Sequence, residues 1–253
     1  MLTDTHAHLT MPEYQDLNDV IKRAKDAGLG FIIDVGFDIE SSKRSAQLFS
    51  GSDYIYTAVG IHPHDAKSFN EECYKELRAL AGGPRVVAIG EIGLDYHYDL
   101  STHDEQKRMF SKLLWTARDM NKPVIFHGRE SYHDMVDIVK AEGKGDVRGV
   151  FHSFAGSPEE LKWVLDNGFY VSFNGMLTFK KAQNIKDLAL SAPIDRILIE
   201  TDCPYLTPEP FRGKRNEPSY VSFVAEALAK IKGLTVDEVA VRTTENAKKL
   251  FQI

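Results

Sequence analysis

The residues able to do chemistry in this chain recur just after short apolar runs. The sequence opens Met1-Leu2-Thr3-Asp4-Thr5-His6-Ala7-His8. If Leu2 to His6 is extended, side chains alternate faces, so His6 and His8 point the same way, about 6–7 Å apart along the backbone. Two imidazoles so placed can converge on one metal ion, although alone the pair reads more readily as surface or core histidines. The pattern then repeats as His62-Pro63-His64-Asp65, Gly90-Glu91-Ile92-Gly93-Leu94-Asp95-Tyr96, His127-Gly128-Arg129, His152-Ser153 and Glu200-Thr201-Asp202-Cys203. A nitrogen or carboxylate ligand at the same end of several strands is a constellation, and the chemistry it suits is metal binding.

The elements that must position these groups are legible as a rhythm. Apolar runs at Leu2–His6, Phe31–Val35, Tyr54–Val59, Val86–Ile89, Val124–His127, Gly149–His152, Phe169–Phe173 and Arg196–Ile199 read as strands. Several are apolar at nearly every position, as parallel strands covered on both faces are. Helical segments alternate with them at 13–27, 41–49, 70–80, 105–120, 132–142, 158–167 and 180–190, with two more at 219–232 and 235–251. Ser157-Pro158-Glu159-Glu160 reads as a cap and Asn167-Gly168 as a stop, while Gly28 and Gly30 close the first helix. Strand-then-helix units of this kind predict an α/β fold, a (β/α)8 TIM barrel with an extra C-terminal helix, over a single domain spanning 1–253. A doubly wound open sheet is the second choice. In the barrel the active site lies at the carboxyl ends of the strands, where the histidines and acids fall.

Bulk properties narrow the partners. The chain has 253 residues, 43% hydrophobic and 27% charged, as soluble globular proteins do. No apolar run approaches the roughly 18–20 residues needed to span a bilayer, so no membrane partner is expected. No basic segment followed by an apolar run opens the chain, and the two cysteines, Cys73 and Cys203, lie far apart, which suits a reducing cytoplasm. A net charge of −6 argues against a general basic grip on nucleic acid, but not against a nucleic-acid enzyme whose local field comes from bound metal ions and a few arginines. The expected state is a monomer or weak oligomer.

Thr5-His6-Ala7-His8, Gly60-Ile61-His62-Pro63-His64, Gly90 through Tyr96, His127 with Arg129, Phe151-His152-Ser153-Phe154, Glu200 through Leu206 and Arg215-Asn216-Glu217-Pro218 together resemble the TatD family of metal-dependent deoxyribonucleases, within the amidohydrolase-like barrels. The matches run in order over essentially the whole chain. The resemblance implies two divalent ions, Mg, Mn, Zn or Ni. His6, His8 and Asp202 would hold the first, His127 and His152 the second, with Glu91 bridging. One carboxylate can serve two ions about 3.5–4 Å apart, and imidazole-rich sites lean toward zinc, nickel or manganese. No lysine ends strand four or five, so a carbamylated lysine bridge is not expected. The implied activity is a 3'-5' exonuclease on single-stranded DNA, with Asp202 and Glu91 as catalytic groups and Asp202 as general base.

The remaining residues carry weaker expectations. His62 and His64 suit substrate contact better than ligation, because the ligand count is filled without them. Asp95 and Tyr96 line the substrate pocket or cap and pack, and Arg129 can clamp a phosphate. Glu200 supports a ligand or an arginine. His97, His103 and His133 read as surface residues, Gly82-Gly83-Pro84 as a turn, and Cys203 as packing. Arg212-Gly213-Lys214-Arg215 is the densest basic run, either a solvated loop or, with Arg215 at the substrate, an electrostatic guide. Two other functions compete: an amidohydrolase or small phosphoester hydrolase using the same metal pair, and a D-aminoacyl-tRNA deacylase or nucleic-acid binding factor.

Overall fold

The computed structural model describes residues 1–143 and 145–253. The strands are β1 (Leu2–Ala7), β2 (Leu29–Val35), β3 (Ile55–Val59), β4 (Val86–Asp95), β5 (Val124–Arg129), β6 (Gly149–Phe151), β7 (Tyr170–Phe173) and β8 (Ile197–Ile199). The α-helices are α1 (Leu17–Asp26), α2 (Ile39–Leu48), α3 (Glu71–Ala81), α4 (His103–Asp119), α5 (Tyr132–Gly143), α6 (Pro158–Asp166), α7 (Gln183–Ser191), α8 (Val221–Lys232) and α9 (Val236–Phe251). The eight strands form one sheet in strict chain order. A doubly wound sheet would reverse its order at a switch point, so sequential order decides for the (β/α)8 class. Among the described residues no helix is long and apolar enough to cross a membrane.

The chain groups into two compact units, Met1–Asp34 with Ser153–Ile253, and Val35–His152. In the first unit, β1 is buried along its whole length and pairs in parallel with β2. Its carboxyl end also bridges the segment after β8 through Ala7 and Cys203, and Thr5 Oγ1 donates to the Ile199 carbonyl at 3.1 Å. The extra C-terminal helix α9 packs on β1 and β8. There the buried Asn246 donates its amide to the Ile194 and Ile197 carbonyls, both at 2.8 Å. In the second unit Phe110, Phe126 and Phe151 are fully buried, with Phe126 stacked on Phe151 at 4.5 Å. Each such ring contributes on the order of 2–3 kcal/mol by leaving water.

Capping follows the sequence signals. Ser157 accepts from the Glu160 N–H at the start of α6, with Pro158 at the first helical position, and Thr102–Glu105 and Thr235–Glu238 form the same reciprocal pair on α4 and α9. Most boundaries shift by one to three residues, and two differ by more. α1 starts at Leu17 rather than residue 13, because Met11 and Tyr14 turn the chain locally and the Glu13 carbonyl accepts from Arg215 instead of a helical N–H. β4 runs ten residues to Asp95 instead of ending at Ile89, so Glu91 lies inside the strand. Glycine makes that extension possible: a Cβ at Gly93 would sit 1.9 Å from the His127 carbonyl oxygen on β5.

Candidate metal centre

Both strands that carry the first ligands are irregular where the ligands sit. From Asp4 to Ala7 three steps along β1 match two along β2, Ile32 to Asp34. From Ile89 to Ile92 three steps along β4 match two along β5, Val124 to Phe126. An extra residue bends the strand and re-aims its side chains, here around His6 and around Glu91.

In the first unit His6 and His8 approach with Nε2 atoms 3.3 Å apart. Asp202 Oδ1 lies 3.8 Å from His6 Nε2 and 3.5 Å from His8 Nε2. Asp202 follows β8 in a left-handed conformation, φ 55°. Its N–H donates to the His6 carbonyl, and the His8 N–H donates to the Cys203 carbonyl, both at 2.9 Å. Beneath them the buried Asp4 carboxylate accepts from the Thr201 N–H at 2.9 Å, Thr201 Oγ1 at 2.6 Å and the His6 N–H at 3.2 Å. Burial pushes the Asp4 carboxyl up to about 8. Asn216 completes the frame, donating to the Thr201 carbonyl at 2.9 Å and the Tyr205 carbonyl at 2.5 Å, on either side of Asp202. Glu200 is buried and accepts from the Ser153 N–H at 2.8 Å and Ser172 Oγ at 2.5 Å, holding the residue next to His152.

In the second unit Glu91 Oε1 stands 2.6 Å from His127 Nδ1 and 2.6 Å from His152 Nε2. His62 Nε2 faces the same point, 3.3 Å from His127 Nδ1 and 3.8 Å from Glu91 Oε1. Asp95 backs the group: its Oδ2 is 3.1 Å from His127 Nε2 and 3.1 Å from His64 Nε2. Burial would raise the Glu91 carboxyl, but the His152 and His127 imidazoles outweigh it and hold Glu91 well below the usual carboxylate range. Burial would lower His127, yet Asp95 and Glu91 on its two sides raise it. For Asp95 too, burial opposes and His127 prevails, keeping the carboxyl ionised. His62 is the opposite case: burial, then the neighbouring His127, push it well below the ordinary imidazole value.

These donor sets fit divalent cations. Glu91, His127 and His152 offer ligand atoms all within 4.8 Å of one another. A buried carboxylate between imidazoles, with a second carboxylate behind one of them, is the arrangement that orients a metal-binding histidine. Asp95 takes the Nε2 side of His127, leaving Nδ1 toward Glu91, where a cation would replace a proton.

The residues read as substrate contacts fall differently. His62 and His64 are partly buried beside the imidazole group. The Tyr96 hydroxyl donates to Asp134 at 2.7 Å and its ring stacks on His103 at 3.6 Å, so its polar atom is engaged with α5. Arg129 is exposed at the end of β5, its guanidinium 5.0 Å from the Tyr98 ring centre. Arg215 forms a bidentate pair with Asp16 at 2.6 and 2.9 Å and lies on Tyr14. His97 and His133 are exposed, pairing with Glu130 and Asp134. Cys203 is buried. Sequence reasoning missed Asp4 and Asn216 as supports. The signal for Asp4 was a carboxylate inside an otherwise closed strand; Asn216 sat in a noted motif without a role.

The family described as TatD related DNase matches residues 3–252. A Bacillus subtilis protein described as the uncharacterized metal-dependent hydrolase YabD is 48% identical, covering 100% of both chains. A 3'-5' ssDNA/RNA exonuclease TatD from Erwinia tasmaniensis is 32% identical over 99% of each. The crystal structure of YjjV, a TatD homologue from Escherichia coli, superposes with a TM-score of 0.94 at 27% identity, covering 100% of this chain and 98% of that one. With the matched segment reaching from Thr3 to Gln252, the chain belongs to the TatD family of metal-dependent hydrolases.

Proposed function

We propose that the protein hydrolyses phosphodiester bonds of single-stranded DNA, working from the 3' end, at a centre of two divalent ions. His6, His8 and Asp202 would hold one ion, His127 and His152 the other, with Glu91 bridging, at the strand ends where (β/α)8 enzymes keep their sites. What carries the reading is Glu91: a buried carboxylate 2.6 Å from two imidazoles and ionised by them. The Erwinia relative supports the substrate, since it is described as acting on ssDNA and RNA. The exposed Arg129, two residues from His127, supports a phosphate contact.

Bound divalent ions supply Lewis-acid polarisation of the phosphoryl group and draw the pKa of water toward about 7. Asp202 accepts the proton of the attacking water and returns one to the leaving oxygen. His62 acts as a donor: its Nδ1 accepts from the His64 N–H at 3.2 Å, so the neutral ring carries its proton on Nε2, facing the Glu91 side. That N–H suits a phosphoryl oxygen. Arg129 holds a second oxygen through its fork.

The test is hydrolysis of a single-stranded oligonucleotide with Mg, Mn, Zn or Ni added, comparing free and blocked 3' ends. Asp202→Asn and Glu91→Ala should each lower turnover by about 10²–10⁴-fold, the scale of a lost acid–base group. Undiminished cleavage by both variants, or wild-type turnover only on amides or phosphomonoesters, would overturn the reading.

A further inference from the structure

The segment after β4 carries an aromatic group that the proposed hydrolysis does not use. Tyr98 is 48% exposed and Leu100, two residues on, 51%. The Arg129 guanidinium lies 5.0 Å from the Tyr98 ring centre, and among the described residues no carboxylate pairs with it. The ring meets His64 edge-on, centres 5.5 Å apart at 82°, and His97 at 4.6 Å and 85°. Two backbone N–H groups of this loop end on one carboxylate: Asp95 Oδ1 accepts from the His97 N–H at 3.0 Å and the Tyr98 N–H at 3.3 Å. The other oxygen of that carboxylate faces His127 and His64. The Tyr96 N–H donates to the Arg129 carbonyl at 2.9 Å, which ties the loop to the end of β5. Tyr98 and Arg129 are thus held against each other beside the imidazole group, and both side chains remain exposed in part.

We propose that Tyr98 and Arg129 form a stacking subsite for a nucleobase of the substrate strand, resting on the phosphodiesterase reading above. A tyrosine ring and a guanidinium plane both stack on bases without regard to sequence, and the guanidinium adds attraction for the adjacent phosphate. An exposed ring beside an unpaired arginine is the combination that single-strand grooves use. The subsite makes the base, and not only the phosphate, a determinant of affinity.

The test separates base from phosphate. The manganese-loaded enzyme is titrated calorimetrically with 2'-deoxyadenosine 5'-monophosphate and with 2-deoxyribose 5-phosphate, which lacks the base. Wild type should bind the nucleotide at least about fivefold more tightly, the lower end of one stacked base. Tyr98→Ala should erase that difference and Tyr98→Phe should keep it; Tyr98 is exposed, and thermal melting checks that both variants fold. Equal affinity of wild type for the two ligands, or a preference that survives in Tyr98→Ala, overturns the proposal. On oligonucleotides the KM of Tyr98→Ala should rise on normal strands but not on strands whose terminal residues are abasic; a rise on both overturns it. Failure of wild type to cleave any strand would overturn the nuclease reading instead, and in that case the titration decides the base preference.

Discussion

The amide of His64 decides what His62 can be. Because it donates to His62 Nδ1, the free proton of the neutral ring sits on Nε2, and a protonated nitrogen is a donor, not a ligand. His62→Ala should therefore leave metal content unchanged, as read by elemental analysis, while turnover falls by about 10–100-fold; loss of an ion would make His62 a ligand. A second expectation concerns the proton between Glu91 and His127. Without metal, the raised pKa of His127 contributes stability that is complete below the unfolded value near 6.5 and lost as pH rises through the folded value. The depressed pKa of Glu91 contributes stability present above about 4.3 and lost as pH falls through the folded value. A cation competes with the His127 proton, so its stabilisation must grow with pH. Zinc should raise the melting temperature less at about pH 6 than at about pH 8, with proton release seen by calorimetry in different buffers. A pH-independent shift would place the cation away from His127.

At the scale of elements, the ligands depend on partners that lie far off in sequence. Asn216 holds the carbonyls of Thr201 and Tyr205 and donates its own N–H to the Pro204 carbonyl at 3.2 Å, so it fixes the turn that presents Asp202. Asn216→Ala would strand two carbonyls, each worth about 1–3 kcal/mol when buried unpaired. Metal affinity should fall about 10–100-fold, as with other outer partners of ligands, while His127 and His152 keep theirs. Loss of about one ion per chain, with the other retained, is the expected titration; unchanged stoichiometry and affinity would count against it. The order of strands and helices was plain from apolar runs and caps, and the ligands from their place after those runs. The extra residues in β1 and β4 were not legible, because they depend on glycines approaching a neighbouring strand and on Asp4 bonding to Thr201. Nor was the engagement of Arg215 with Asp16, since a basic run looks the same whether solvated or paired.

At the scale of the molecule, a net charge of −6 repels the polyanion this enzyme is proposed to hold. Attraction must then come from the metal centre and from exposed cations not already neutralised. In the basic loop after β8, Arg215 is committed to Asp16, whereas Arg212 and Lys214 are exposed and lie over Phe179 at 3.8 Å and Phe211 at 5.4 Å. Arg129, exposed at the end of β5, is a further candidate for phosphate contact. Single-strand binding loses about 0.7 in the slope of log K against log salt per phosphate neutralised. A strand held by Arg129, Arg212 and Lys214 should give a slope of about −2, and removing Arg212 and Lys214 together should flatten it by about 1.4. Arg215→Ala should behave otherwise, lowering the melting temperature by releasing Asp16 while leaving the slope in place. If the double variant keeps the wild-type slope, the loop after β8 is merely solvated and the strand is held by the metal centre and Arg129 alone.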